Sequence, residues 1–184
     1  VSELAAGEQL FEEMELGGIV NFIAFRQAVA GYNRIKEKSK PILTLIDFSK
    51  PSTEKRFFVF DMEKKQLLFS SVVSHGRNSG GNYATSFSNQ NGSYKSSLGF
   101  YLTENTYQGG NGYSLILNGL EKGINDKAKE RSIVVHGASY ANPTVAASGR
   151  LGRSLGCPAL PTKLAKPIIN TIKDGSVMFI YANN

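Results

Sequence analysis

The chain of 184 residues predicts a mainly β, α+β domain with helices at its N-terminus. Three observations carry that expectation. The first forty residues have helical periodicity. Beyond Pro41 the apolar residues come in short runs rich in β-branched and aromatic side chains. Gly, Pro, Asn and Ser separate those runs, as they do between strands.

In the N-terminal segment, 1–40, Phe22, Phe25, Val29 and Tyr32 recur at spacings of three and four and fall on one helix face. Gly17 and Gly18 divide this helix from an earlier one carrying Leu4, Leu10, Phe11 and Met14, and Pro41 ends the pattern. Strands are then expected at Ile42–Asp47, Arg56–Asp61, Gln66–Val73, Tyr113–Leu117, Ser132–His136 and Ser176–Tyr181. The segment Asp61–Gln66 between two of them reads as a hairpin turn. From Gly76 to Gly112 the chain is rich in Gly, Ser and Asn, which predicts a long functional loop or a set of short strands and turns. A helix is expected near Leu164–Lys173, with Leu164, Ile168, Ile169 and Ile172 inward and Gly175 just past its end. There is no internal repeat. The strand count favours a sandwich or an open barrel, with residues 41–184 as the chemical unit.

Composition excludes several classes. The net charge is +6, but Lys and Arg are scattered and no nucleic-acid motif occurs, so nucleic acid is not an expected partner. No apolar run approaches the roughly 20 residues of a membrane helix, so stable membrane insertion is not expected. The start at Val1 is polar and acidic, unlike a secretory leader. A single cysteine rules out an intrachain disulfide and a cysteine-based zinc site. No metal or organic cofactor is expected.

With one cysteine and two histidines, the candidates for chemistry are few. Cys157 lies in Gly149-Arg150-Leu151-Gly152-Arg153-Ser154-Leu155-Gly156-Cys157-Pro158. Glycines there permit tight turns beside the sulfur, and nearby cations favour the nucleophilic thiolate. A generic free cysteine is more often a small buried hydrophobe, but such a residue usually sits inside a strand rather than in a Gly/Arg/Ser loop. His136 ends the strand expected over Ser132–Val135 and precedes Gly137, 21 residues before Cys157. A Cys–His pair supplies what thiol catalysis needs: the imidazole takes the proton and returns it to a leaving amine. Taken alone, His136 reads as a core or strand-capping residue. His75 ends its strand in the same way, as Ser74-His75-Gly76, and reads equally as cleft-lining or structural.

Ile133-Val134-Val135-His136-Gly137 followed by Ser154-Leu155-Gly156-Cys157 resembles the L,D-transpeptidases of the YkuD-like family. That family carries a strand ending in His-Gly, then Ser/Thr-His-Gly-Cys after a loop. The chain is similar to a divergent branch, with Gly-Arg-Ser-x-Gly-Cys-Pro at the cysteine. Further branch matches are Asp47-Phe48-Ser49-Lys50-Pro51-Ser52, Ser74-His75-Gly76, Phe87-Ser88-Asn89, Ser96-Ser97-Leu98-Gly99-Phe100-Tyr101 and Gly119-Leu120-Glu121. Two departures stand out: Leu155 replaces the wider family's second histidine, and Ala159 replaces an arginine associated with peptide substrate.

The resemblance implies a YkuD-like β fold and a peptidoglycan L,D-transpeptidase of the periplasm or cell envelope, its leader already removed. It also implies a thioester at Cys157, with His136 as base, and 3→3 cross-links between peptidoglycan stem peptides. The Gly137 carbonyl would orient His136, backbone N–H groups at Gly156 and Cys157 would face the oxyanion, and Ser154 would shape the loop. Arg150 and Arg153 are candidates for the missing arginine, with His75 as a further substrate contact. The rivals are an L,D-carboxypeptidase or amidase on the same thioester, a non-catalytic wall-binding module, and an unrelated cysteine protease.

Overall fold

A computed structural model describes residues 3–183, with side chains from residue 5. Val1, the Leu4 side chain and Asn184, at the end of the expected chemical unit, lie outside the described residues. The order is α1 Glu3–Glu13, α2 Phe22–Arg34, β1 Ile42–Asp47, β2 Phe57–Asp61, β3 Gln66–Ser71, β4 Gly99–Gly109, β5 Gly112–Gly119 and β6 Val134–Gly137. There follow a 3₁₀ turn Ser139–Ala141, α3 Pro143–Ala146, β7 Ala159–Leu160, α4 Thr162–Ile172 and β8 Val177–Tyr181.

All eight strands form one sheet in the order β3-β2-β1-β8-β4-β5-β6-β7. The two ends of that order meet. Ser74, just past β3, bridges Ala159 of β7, with Ser74 N donating to Ala159 O at 2.9 Å. The sheet therefore curls into a nearly closed barrel, the second of the two architectures, sandwich or open barrel, that the strand count favoured.

The apolar runs follow from burial on both faces. Alternate residues of one strand enter different cores: Phe57 and Val59 of β2 pack with Ile46, Leu115, Val135 and α4's Ile168, Ile169 and Ile172. Phe58 and Phe60 pack instead with Leu43, Leu45, Phe179 and α2's Phe25 and Val29. The hairpin sits where expected, with Asp61 Oδ1 accepting from Glu63 N and Lys64 N.

Helix α2 begins at Asn21, whose side chain accepts from Ile23 N and Ala24 N. It ends at Arg34, well before Pro41. Phe25, Val29 and Tyr32 are buried as their spacing requires, whereas Phe22 is left partly exposed beside Phe11, its ring 5.0 Å away. Helix α4 buries Ile168, Ile169 and Ile172, while Leu164 is only half-buried.

The largest departure from expectation is β4, which runs through the second part of the 76–112 segment. Its inner half is buried and its outer half projects as an exposed ribbon with β5, so no single polarity pattern marks it.

Gly31 shows how closely α2 lies on the sheet: a Cβ there would fall 2.0 Å from the Phe100 ring. On an open helix, Gly→Ala stabilises by about 1 kcal/mol. Here Gly31→Ala should instead destabilise by about 1–3 kcal/mol through overpacking. Thermal unfolding decides the sign, and a raised Tm would mean that α2 is not seated on Phe100.

Candidate active site

The site forms at the seam where the barrel closes. Ala159 sits between two strands, paired with His136 of β6 on one side and bridged to Ser74 on the other. Three sequence motifs thus meet at one junction: Ser74-His75-Gly76, His136-Gly137 and Cys157-Pro158-Ala159. Val134 and His136, two apart on β6, point to the same face. The Val134 N–H, directed toward the cysteine segment, donates to Cys157 Sγ at 3.4 Å, and His136 N donates to Pro158 O at 3.4 Å.

Cys157 is 9% exposed. Its thiol donates to Ser132 O at 3.5 Å. Burial pushes this thiol up from its ordinary value, opposed by the Val134 N–H and the charge of Arg131. Burial thus favours the neutral thiol over the thiolate. His136 Nδ1 lies 3.0 Å from Gly137 O. A carbonyl only accepts, so Nδ1 carries the hydrogen and the neutral ring keeps its lone pair on Nε2. Among the described residues no hydrogen bond joins Cys157 Sγ to either imidazole. Gly137 has a packing role as well: a Cβ there would come 2.8 Å from Ala165 Cβ of α4.

Ser154 ties the cysteine turn together. Its Oγ donates to Cys157 O at 2.6 Å and accepts from Gly156 N at 3.1 Å. That contact changes the expectation for Gly156, whose N–H is spent inside the turn, so the donor left beside the sulfur is Cys157 N. Gly156 itself has φ +126, a conformation that favours glycine, and a Cβ there would press on Ile133 Cδ1 and Lys95 O, both at 3.0 Å.

His75 is not a cleft residue. It is 1% exposed, with Arg56 Nη2 donating to Nδ1 at 2.8 Å and Nε2 donating to Gly80 O at 3.1 Å. Burial and then the Arg56 charge hold its pKa down at about 4, against a favourable contribution from the Gly80 carbonyl. It is a neutral structural imidazole, and its backbone O receives Ser154 N at 3.0 Å. Arg150 and Arg153 are exposed; their Nη1 groups donate to Leu151 O, and to Arg77 O and Gly80 O, respectively. Leu155, at the position of the wider family's second histidine, is 56% exposed.

Three further residues belong to this frame. Arg56 is buried, and besides His75 it donates to Val73 O and Lys50 O and stacks on Phe48 at 4.8 Å. Burial lowers its pKa to about 9, opposed by Asp47. Arg131 abuts the Gly156 turn. Tyr140 packs on Gly152 and is pushed up to about 12 by burial and by Cys157. Their partners are distant in sequence, so no local pattern marks them. Ser52, from the Asp47–Ser52 motif, joins the loops through Asn82 Oδ1 at 2.7 Å and Leu151 N at 3.0 Å.

A groove of about 360 Å³ lies against this strand, lined by Tyr107, Ile116, Lys129, Ser132, Ile133 and Val134. Ser132 and Val134 are the two residues that hold the sulfur. Among the described residues there is no cluster of three His, Cys, Asp or Glu suited to a metal.

The family model of the L,D-transpeptidase catalytic domain matches residues 17–181. The chain belongs to that family. Among solved structures, it is similar to the helical cell shape determining protein Pgp2 from Campylobacter jejuni. The identity is 15% and the TM-score 0.52, over 84% of this chain and 54% of that one. It is also similar to an L,D-transpeptidase from Mycobacterium smegmatis, at 12% identity and TM-score 0.47, over 77% of this chain and 59% of that one. The L,D-transpeptidase-like unit thus spans less than two thirds of the length of these chains. No curated protein matches it.

The sign of the His75 contribution to stability follows from its depressed pKa. As pH falls, the unfolded chain takes up the proton near 6.5 and the folded one only near 4. Stability is therefore retained above about pH 6.5 and lost between 6.5 and 4. At pH 4.5 the loss should be about 2–3 kcal/mol. Denaturant melts at pH 7 and pH 4.5 should show it, with His75→Asn, whose amide oxygen still accepts from Arg56, losing less. Equal losses would remove His75 as the cause.

Proposed function

We propose that this chain is a peptidoglycan L,D-transpeptidase of the cell envelope, acting through a thioester at Cys157. The supporting observation is the seam. His136 and the cysteine segment run side by side, His136 pairs with Ala159, and the Gly137 contact leaves Nε2 as the basic nitrogen.

In this reading His136 Nε2 takes the thiol proton, and Sγ attacks the carbonyl of the diamino acid in a tetrapeptide stem. The Cys157 N–H stabilises the oxyanion. The C–N bond to the terminal D-Ala breaks, and His136 returns the proton to that leaving amine. An amine of a second stem then attacks the thioester, forms the 3→3 cross-link and regenerates the thiol. Ser154, Gly156 and Gly137 position these groups rather than react. Arg150 and Arg153 stand at the loop edge, where a substrate carboxylate could meet them. In this reading the segment from residue 41 onward carries the chemistry, while α2 packs on the opposite face of the sheet through Phe25 and Val29. Among the described residues no helix is long and apolar enough to cross a membrane.

Incubation with disaccharide-tetrapeptide, followed by mass spectrometry, tests the reaction. A cross-linked dimer with loss of D-Ala is expected, whereas a tripeptide alone would indicate a carboxypeptidase and no change a binding module. A carbapenem, whose strained ring carbonyl offers the same electrophile, should acylate the wild type once, at Cys157. Cys157→Ala should form no adduct, and His136→Ala should slow acylation by about 10²–10⁴. A folded Cys157→Ala that turns over stem peptide at the wild-type rate would sink the assignment.

A further inference from the structure

Arg150 and Arg153 are the arginines nearest Cys157 in sequence, yet the charge that bears on its thiol is that of Arg131. Arg131 precedes Ser132, whose carbonyl accepts from the thiol. Its Nη1 donates to Ser88 O at 2.9 Å and Ser97 Oγ at 3.3 Å. Its Nη2 donates to Lys95 O at 2.7 Å and Ser93 Oγ at 3.2 Å. Four acceptors match the four Nη hydrogens, so the planar fork cannot swing toward a ligand. The same Nη2 stands 3.4 Å from the place a Gly156 Cβ would occupy, against the turn that presents the sulfur.

We propose that Arg131 is the positioning residue of the Cys157 site: its locked guanidinium pins the 88–97 segment against the cysteine turn and supplies the fixed positive charge beside which the thiolate forms. This rests on the reading of Cys157 as nucleophile. An opposite charge held in a desolvated site favours an anion far more than a solvated one does. The other groups around the sulfur do not replace it. His136 from β6 is the proton acceptor, and Tyr140 from the 3₁₀ turn is a neutral phenol held up by its burial. Arg131 also faces the buried Tyr101, whose hydroxyl donates to Ser97 O and Ser97 Oγ, so the clamp continues into the core.

The test is the pH dependence of Cys157 alkylation by iodoacetamide, read by intact mass, with thermal melts run in parallel. It needs no stem peptide. If wild type makes no cross-links but the alkylation series behaves as expected, the function falls and the role of Arg131 stands. Arg131→Gln should move the alkylation midpoint up by about one pH unit. Arg131→Lys, which keeps the charge and loses the fork, should melt lower and hold its midpoint within about 0.3 unit of wild type. The double variant Ser93→Ala, Ser97→Ala, which loosens the clamp without touching the charge, should do the same. An Arg131→Gln midpoint equal to wild type would overturn the proposal. So would a full-unit rise in the Ser93/Ser97 variant, which would make the effect one of loop structure. Should Arg131→Gln not fold, Arg131→Lys decides: a retained midpoint supports the charge and a rise of one unit overturns it.

Discussion

The site depends on the hydrogen bonding of Ser154. Its hydroxyl has one proton to give and lone pairs to receive, and donation to Cys157 O and acceptance from Gly156 N use both. Its backbone N and O join His75 O and Arg77 N, at 3.0 and 2.8 Å. One buried residue thus fixes the turn that carries the sulfur and ties that turn to the His75–Arg77 segment that follows β3. A loop with several glycines has many conformations, and each such bond is worth only about 1 kcal/mol net. Their value here lies in selecting one conformation, because the proposed acyl transfer would tolerate little misplacement.

Behind Ser154 stands a dry frame. Arg56 donates to His75, His75 donates to the Gly80 carbonyl, and both sit under the closure between Ser74 and Ala159. Burying a guanidinium costs heavily unless its donors are satisfied, and here they meet carbonyls, an imidazole and the Phe48 ring. The frame holds one wall of the seam and Arg131 holds the other. Ala159, between the walls, is fully buried, so no arginine fits at that position.

Much of this was legible in the sequence, for specific reasons. Strands such as β1, β2 and β8 are buried on both faces, so their apolar runs stand out. The amphipathic spacing of α2 and α4 did the same for the helices. Cys157 and His136 were singled out because the cysteine and the His-Gly pair resemble a family pattern, and the fold sets their two segments side by side. β4 was not, because its polarity changes halfway along, and β7 is only two residues long. His75 looked like His136 because both end a strand before glycine. The difference lies in Arg56, 19 residues away in sequence, which turns one imidazole into a buried acceptor. Arg131 left no local trace for the same reason: its acceptors lie 34–43 residues earlier.

The claim that a Ser154-centred frame holds Cys157 in reacting position is tested most directly by single-turnover acylation of Ser154→Ala. The variant should fold, keep its only thiol, and acylate about 10–100-fold more slowly than wild type, as expected when a reacting group is misplaced by a fraction of an ångström to an ångström. Ser154→Thr, which keeps the hydroxyl, should recover most of that rate. Acylation of folded Ser154→Ala at the wild-type rate would contradict the account, because the cysteine turn would then hold its geometry without the bonds that define it here.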